Sequence, residues 1–136
     1  MPTRQKIRYS DCDPQGIVFN GNYARYWDDA ATDWFKENGF GGAELGGIDT
    51  EVVTARLEMD FRAVARLGDE LETSLGVARF GSTSMTVDFV TRRLSDGVVV
   101  AEGKAVYVFV DPEDFRTVPV PEVIKEGLGE ESSAPR

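Results

Sequence analysis

Two carboxylates, Asp11 and Asp13, stand two residues apart in the segment 9–23, whose sequence is YSDCDPQGIVFNGNY. Pro14 and Gly16 follow them and favour a turn, and the apolar pattern of a long helix begins a few residues later. A carboxylate that faces a helix N-terminus can attack a carbonyl, or activate water, beside a dipole that stabilises an oxyanion. This chemistry suits the cleavage of an ester or thioester. It needs no histidine, and the chain has none.

The composition argues against several classes of protein. The 136 residues suit one domain with a single core, and no apolar run approaches the roughly 18–20 residues that span a bilayer. A net charge of −9 argues against binding to nucleic acid. One cysteine and no secretion signal fit a reducing compartment, so we expect a cytoplasmic protein. The absence of histidine removes Ser-His-Asp and Cys-His catalysis and the commonest zinc ligand, so we expect no metal site.

The hydrophobic pattern predicts a strand, a long helix and then four antiparallel strands. Residues 3–10 alternate weakly, and residues 11–21 have the glycines and proline of a loop. Apolar residues then recur on one helical face from Tyr23 to Phe35. Asn20 or Asn22 can cap this helix at its start, and Asn38-Gly39 can close it. We expect the later strands around residues 53–63, 71–77, 85–89 and 98–110, and a short helix over 119–126.

The predicted folded domain covers residues 1–126, and the polar residues 127–136 read as a disordered tail. One helix cannot cover a five-stranded sheet from end to end, and the last strand is mostly apolar on both faces. The uncovered apolar surface predicts association into at least a dimer.

The run DCDPQGIVF at 11–19, followed by Asn22-Tyr23, closely resembles the signature of the 4-hydroxybenzoyl-CoA thioesterase family. A second run, FRAVARLGDEL at 61–71, resembles the end of that family's second strand and the following turn. The resemblance implies an α+β hotdog fold, in which a five-stranded antiparallel sheet wraps around one long central helix. It also implies homodimers with a continuous ten-stranded sheet, often paired into homotetramers, and hydrolysis of an acyl-CoA thioester.

The same resemblance assigns roles to residues of the motif. Asp13 matches the catalytic carboxylate, either as the nucleophile or as a general base for water, and the backbone N–H of Asn20 matches the oxyanion donor. We interpret Asp11 as a supporting residue and Asn22 as a helix cap. Gly16 is expected to take a left-handed or closely approached backbone position that brings Asp13 toward the helix.

Other residues near the motif are candidates for the walls of an acyl pocket. Phe19 and Tyr23 lie near the start of the helix, although an aromatic stripe at helical spacing is more often part of the core. The glycine-rich segment 39–47 is a further candidate wall. Cys12 stands between two carboxylates, which makes it a poor nucleophile, and we interpret it as a small buried residue. No cofactor is implied, because coenzyme A is part of the substrate.

The phosphates of coenzyme A require cationic or hydroxyl side chains. The resemblance places the nucleotide contacts at Arg79, Ser82, Thr83, Ser84 and Arg116. Family members with an aromatic substrate can carry a run of basic residues at this turn, where this chain has Gly81-Ser82-Thr83. We therefore expect coenzyme A to bind more weakly or in a different place. Alternative phosphate partners are Arg62, Arg66, Arg92 and Arg93.

Three functions stay open at this point. They differ in whether they need the carboxylate of Asp13 and whether they need a histidine, which the chain lacks. An acyl-CoA thioesterase, the leading interpretation, uses Asp13 on an aryl, aliphatic or carrier-bound acyl group. A non-catalytic hotdog protein that binds an acyl-CoA as a sensor or scaffold has no need for this carboxylate. A hydratase or dehydratase on the same fold usually needs an Asp-His pair, which the lack of histidine disfavours.

Overall fold

A computed structural model of the chain describes residues 2–40 and 49–129. Within these ranges the strands are β1 (Thr3–Lys6), β2 (Glu51–Phe61), β3 (Glu70–Phe80), β4 (Ser84–Arg93) and β5 (Val99–Val110). All neighbouring strands are antiparallel, in the order β1-β3-β4-β5-β2. Helix α1 (Asn22–Glu37) connects β1 to β2, and a short helix, α2 (Glu122–Leu128), follows β5. No helix in the described ranges is long and apolar enough to cross a membrane.

Helix α1 buries one apolar stripe against the sheet, as its periodicity predicts. The buried members of this stripe are Tyr23, Tyr26, Trp27, Ala30, Ala31, Trp34 and Phe35. The ring of Trp27 stacks on Phe89 of β4, with the centroids 4.7 Å apart. Its indole N–H donates to the Thr91 hydroxyl at 2.9 Å, and Thr73 lies 2.8 Å from the same hydroxyl. The indole N–H and the two threonine hydroxyls are therefore paired inside the core, as buried polar groups need to be. The buried hydroxyl of Tyr26, on the same stripe, has no hydrogen-bond partner among the described residues.

Most elements differ from the predicted bounds by a few residues, and two of the differences concern the site or the extent of the domain. Strand β1 ends at Lys6 rather than at residue 10, because the chain turns into a single 3-10 turn at Tyr9–Asp11. Helix α2 continues to Leu128, so the predicted end of the domain at residue 126 is too early. The reason is that Leu128 is buried in the core. The rest of the predicted tail, residues 130–136, lies outside the described residues.

The architecture is the hotdog fold that the resemblance implies, with a curled five-stranded sheet and the long helix packed against it. Strand β2 is at an edge of the sheet, and no other described strand pairs with its outer side. Leu57 and Phe61 of β2 are exposed, yet they pair with Ala105 and Ala101 of β5, which are buried. Because paired residues of neighbouring strands point to the same face, these two apolar side chains lie on the face that carries the helix.

Candidate active site

Residues 11–19 form a small antiparallel loop that carries Asp13 at its turn. The N–H of Asp13 donates to the carbonyl of Ile17 at 2.9 Å, and the N–H of Gly16 donates to the carbonyl of Asp13 at 2.9 Å. Gly16 has a φ of +79°, a left-handed conformation that glycine adopts at little cost. The backbone conformation predicted for Gly16 is confirmed, and it closes the turn under Asp13.

The loop is anchored to the turn that precedes β3. Ile17 forms a backbone bridge with Arg66, and the N–H of Val18 donates to the carbonyl of Ala65 at 2.8 Å. Val18 and Ala65 are both buried. The loop therefore rests on the core and does not project freely into solvent.

Asp13 is half-buried and lines a cleft of about 530 Å³. Its Oδ1 accepts the backbone N–H of Gln15 at 2.8 Å, while Oδ2 has no hydrogen-bond donor within residues 2–40 and 49–129. The other residues that line the cleft are Tyr9, Cys12, Pro14, Gly16 and Leu67. A carboxylate with one oxygen unengaged in such a cleft can act as a nucleophile or as a general base.

Tyr9 and Leu67 are functional candidates that the sequence pattern does not reveal. Tyr9 is 84% exposed and Leu67 is 57% exposed, and both line the cleft beside Asp13. The alternation of residues 3–10 assigns Tyr9 to a strand, and the pattern around Leu67 predicts a turn. The sequence offers one signal that could have indicated these two residues, which is a large apolar side chain at the end of a strand or in a turn. Their meeting across one cleft depends on the bridge between the loop and the turn before β3.

The backbone N–H of Asn20 lies between the loop and α1. It donates to no acceptor among the described residues, whereas the N–H of Phe19 donates to the carbonyl of Asp11 at 3.0 Å. Unsatisfied N–H groups at the start of a helix attract negative charge. The predicted oxyanion donor is thus available to a ligand, and its role in catalysis stays a prediction.

The side chain of Asn22 does not cap α1, so this interpretation is wrong. The N-cap residue is Gly21, and no side chain makes a capping hydrogen bond there. Asn22 is the first helical residue, and its Nδ2 donates to the backbone carbonyl of Asp11 at 2.7 Å. The amide is used across the loop because an acceptor from the motif lies within its reach.

Asp11 supports the loop, in agreement with its interpretation. It is only 7% exposed, and its Oδ1 accepts a hydrogen bond from Arg25 Nη2 at 2.6 Å. Its Oδ2 accepts the backbone N–H of Arg8 at 2.9 Å. Burial raises the pKa of the neighbouring Tyr26, and the charge of Asp11 raises it further. Both carboxylate oxygens of Asp11 are therefore engaged within the protein.

The two predicted pocket aromatics have different surroundings. Phe19 is 53% exposed, and its ring lies so close to Gly21 that a Cβ atom there would stand 2.8 Å from Phe19 Cε2. Tyr23 is 3% exposed, and its ring centroid is 5.6 Å from that of Phe61. Burial raises the pKa of Tyr23 to about 12. Phe19 is accessible to a ligand, while contact between Tyr23 and substrate stays a prediction. In the proposed wall 39–47, residues 41–47 lie outside the described residues.

Cys12 is half-buried and lines the cleft, so the predicted burial is only partial. Its thiol donates to the carbonyl of Arg8 at 3.7 Å, a contact that holds the sulfur toward the backbone. Among the residues that the structure describes, no group of three or more His, Cys, Asp or Glu side chains is placed to hold a metal ion.

The predicted nucleotide contacts lie at the far end of β3 from Asp13. They are Arg79, Ser82, Thr83, Ser84 and Arg116. Backbone hydrogen bonds of 2.9 Å from Val120 and Phe109 hold the β3–β4 turn beside the segment that carries Arg116. The loop with Asp13 sits at the start of β3, and a rise of about 3.3 Å per residue separates the two ends by about 30 Å. These residues and Asp13 of one chain therefore lie toward opposite ends of β3, and their contact with coenzyme A stays a prediction.

The candidate phosphate contacts also differ in the charged and polar groups around each arginine. Arg116 shares its turn with the carboxylates of Asp111, Glu113 and Asp114, so a phosphate there would also meet negative charge. The guanidinium of Arg66, next to Leu67 of the cleft, has no hydrogen-bond or ion-pair partner among the described residues. The other three alternatives already have partners. Arg62 forms an ion pair with Glu102 at 3.0 Å, and Arg93 forms one with Asp96 at 2.9 Å. Arg92 donates to the carbonyl of Gly97 at 3.3 Å.

The chain is similar over most of its length to known proteins. Residues 7–128 match the sequence profile of the Thioesterase-like superfamily. The acyl-CoA thioester hydrolase YbgC of Escherichia coli is 24% identical over 121 residues, which cover 88% of this chain and 88% of that protein. The 4-hydroxybenzoyl-CoA thioesterase of a Pseudomonas species is 27% identical over 128 residues, which cover 87% of this chain and 89% of that protein. A crystal structure of a thioesterase from Thermus thermophilus, complexed with coenzyme A and zinc, aligns with a TM-score of 0.80 at 28% identity, over 93% of this chain and 90% of that chain.

Proposed function

Because the chain belongs to the Thioesterase-like superfamily, we propose that it hydrolyses an acyl-CoA thioester to the free acid and coenzyme A. The observation that carries this proposal is the half-buried Asp13, which lines a cleft at a loop that leads directly into α1. The backbone N–H of Asn20, between that loop and the helix, has no acceptor in the described part of the chain. One cysteine suits the reducing cytoplasm as the place of the reaction.

Two chemical routes use these same groups. In the first, a carboxylate oxygen of Asp13 attacks the thioester carbon, the C–S bond breaks, and coenzyme A leaves as its thiol after taking up a proton. Water then hydrolyses the mixed anhydride and restores the carboxylate. In the second, Asp13 takes a proton from water, and that water attacks the thioester carbon. The C–S bond then breaks, and the proton passes from Asp13 to coenzyme A, which leaves as its thiol. In both routes the N–H of Asn20 donates to the oxygen that becomes negative, which is the usual role of an oxyanion donor.

The exposed side chains of the site favour an apolar acyl group. Tyr9 and Leu67 line the cleft beside Asp13, and Phe19 is exposed at the start of α1. Aromatic side chains offer a large apolar surface and prefer offset or edge-to-face contacts with other rings. An aromatic or hydrophobic acyl chain gains from these contacts, whereas an acetyl group is too small to use them.

A second copy of the chain completes the site in this proposal. The open β2 edge carries the exposed Leu57 and Phe61 on the face that bears α1. Pairing of two β2 edges buries these side chains and extends the sheet across both subunits. The contacts expected from Arg79 and the β3–β4 turn then come from the partner of the subunit that supplies Asp13.

The test is release of coenzyme A from a panel of esters, measured with a thiol-reactive dye. Benzoyl-, phenylacetyl-, acetyl-, hexanoyl- and palmitoyl-CoA vary the ring and the length of the acyl group. We expect turnover of the aromatic or longer esters with a higher kcat/KM than that of acetyl-CoA. The single thiol of Cys12 gives at most a stoichiometric signal, which the Cys12→Ser variant removes. Tight binding of the esters without release from any of them would contradict hydrolysis and favour a binding protein.

A further inference from the structure

One backbone carbonyl joins three parts of the candidate site. The carbonyl of Asp11 accepts the side-chain amide of Asn22 at 2.7 Å and the backbone N–H of Phe19 at 3.0 Å. Asp11 begins the loop, Phe19 ends it, and Asn22 is the first residue of α1. The three residues together form a clamp at the base of the loop.

The residues of the clamp are close neighbours, along the chain, of both groups that the proposed reaction uses. Asp13 follows Asp11 by two residues, and Asn20 follows Phe19. The positions of the carboxylate and of the oxyanion donor relative to each other are therefore set by how firmly the base of the loop is held. Reaction rates are sensitive to such positioning, since a displacement of about 1 Å can cost about 100-fold.

The acceptor of the clamp is itself held in place. The side chain of Asp11 is fixed on one oxygen by Arg25 at 2.6 Å and on the other by the N–H of Arg8 at 2.9 Å. Asn22 has no capping function at α1, because Gly21 is the N-cap residue. Its amide therefore serves the link between the loop and the helix.

We infer that Asn22 is a positioning residue for thioester hydrolysis, which holds the oxyanion donor of Asn20 in place relative to the carboxylate of Asp13. Its side chain acts through the carbonyl of Asp11 and takes no part in the reaction itself. This inference rests on the proposed function.

The chain offers a matched control at the other end of the same helix. The amide Nδ2 of Asn38 donates to the backbone carbonyl of Trp34 at 2.8 Å. This hydrogen bond closely matches the one from Asn22. Each joins an asparagine amide to a backbone carbonyl, the two lengths differ little, and both bonds are partly buried. The carbonyl of Trp34 lies more than three helical turns from the loop, so loss of this bond affects the stability of α1 but not the clamp.

The experiment compares Asn22→Ala and Asn38→Ala, with kcat, KM and melting temperature measured on the best ester of the panel. We expect similar decreases in melting temperature for both variants. Only Asn22→Ala loses kcat, by about ten- to a hundred-fold, with KM within about three-fold of wild type. Asn22→Gln keeps an amide donor and recovers part of the lost kcat.

Two results would overturn the inference. One is a kcat of Asn22→Ala within about three-fold of wild type, and the other is an equal loss of kcat in Asn38→Ala. Failure of the proposed function gives a different pattern, because the wild-type protein would then release no coenzyme A from any ester. Failure of the Asp13 assignment alone would leave Asp13→Asn with full turnover, whatever the effect at Asn22.

Discussion

Among single residues, the proposed reaction gives Asp13 the task that histidine-dependent groups perform in many hydrolases. A carboxylate is a weak nucleophile in water, so its effect depends on where the turn holds it. Here one oxygen is occupied by the N–H of Gln15 at 2.8 Å, which fixes the side chain and leaves the other oxygen for substrate or water. In the proposed reaction a backbone N–H, rather than a charged side chain, stabilises the oxyanion, which fits a chain without histidine.

Replacement of Cys12 by Ser should leave kcat within a few-fold of wild type. Cys12 lines the cleft, but its thiol makes only a weak hydrogen bond among the described residues, to the carbonyl of Arg8 at 3.7 Å, which a serine hydroxyl can also make. The measurement is steady-state release of coenzyme A. A loss greater than about ten-fold would assign the thiol a part in the chemistry.

Replacement of Gly16 by Ala should reduce both stability and kcat. A left-handed φ of +79° costs an alanine about 1–2 kcal/mol, and relief of this strain shifts the turn that carries Asp13. Gly97, in the hairpin between β4 and β5, has a φ of +72°, and an added Cβ meets no atom within 4 Å at either glycine. Gly97→Ala is therefore the control, measured by denaturant unfolding and by kcat. It should lose similar stability and no activity, and an equal loss of kcat in both variants would contradict a role for the loop.

The residue types of the motif predict part of this site and not the rest. The left-handed Gly16 follows from the turn residues themselves, because only nearby backbone atoms decide it. The use of the Asn22 amide does not follow, since its acceptor is a carbonyl eleven residues away and helix capping is the local alternative. Tyr9 and Leu67 are still less predictable, because they meet only when the loop is bridged to a turn about fifty residues later.

Among elements, α1 and the sheet are joined by a buried polar contact as well as by apolar packing. The indole N–H of Trp27 donates to Thr91 at 2.9 Å, and Thr91 lies 2.8 Å from the hydroxyl of Thr73. The helical periodicity predicts that Trp27 is buried. It does not predict this partner, because the relative placement of helix and strand is a property of the packed fold.

Replacement of Thr91 by Val should destabilise the protein by about 1–3 kcal/mol, because it leaves the buried indole N–H without an acceptor. The exposed Thr32 of α1, whose hydroxyl donates to the carbonyl of Asp28 at 2.9 Å, provides the control Thr32→Val. Chemical denaturation should show a change near zero for the control. Activity per folded molecule should be unchanged in both variants. A Thr91→Val protein as stable as wild type would show that water or a neighbouring group satisfies the indole.

At the scale of the whole molecule, one chain holds the two predicted parts of the substrate site at opposite ends of β3, which is about 30 Å long measured along the strand. The sequence motifs predict both parts but not the separation between them. A motif does not show at which end of the sheet its residues will lie. An open β2 edge with exposed Leu57 and Phe61 offers the surface through which a partner can supply the other part.

Mixing two inactive variants tests this arrangement. Asp13→Asn removes the carboxylate, and Arg79→Ala weakens the nucleotide contact, so each homodimer should be poor at substrate concentrations below KM. In a mixed dimer, the intact Asp13 of one subunit faces the intact Arg79 of the other. Co-expression of differently tagged chains should therefore restore about a quarter of wild-type activity. Activity no greater than the sum of the separate variants would contradict a shared site and favour Arg66 as the cation for the phosphates.

The measurement that bears most directly on the catalytic assignment compares Asp13→Asn with Asp111→Asn. Both residues precede a proline, and both carboxylates accept the N–H of the residue two positions later, at 2.8 and 2.9 Å. Asp13 lines the cleft, whereas Asp111 follows the end of β5. Comparison of the two variants therefore distinguishes the loss of a catalytic charge from the loss of a side chain that only stabilises a turn.

We expect Asp13→Asn to lose kcat by at least about 100-fold while the acyl-CoA still binds. Asp111→Asn should match wild type in kcat and show a similar effect on melting temperature. Unchanged turnover in Asp13→Asn, or an equal loss of kcat in Asp111→Asn, would contradict the assignment of Asp13 as the catalytic carboxylate.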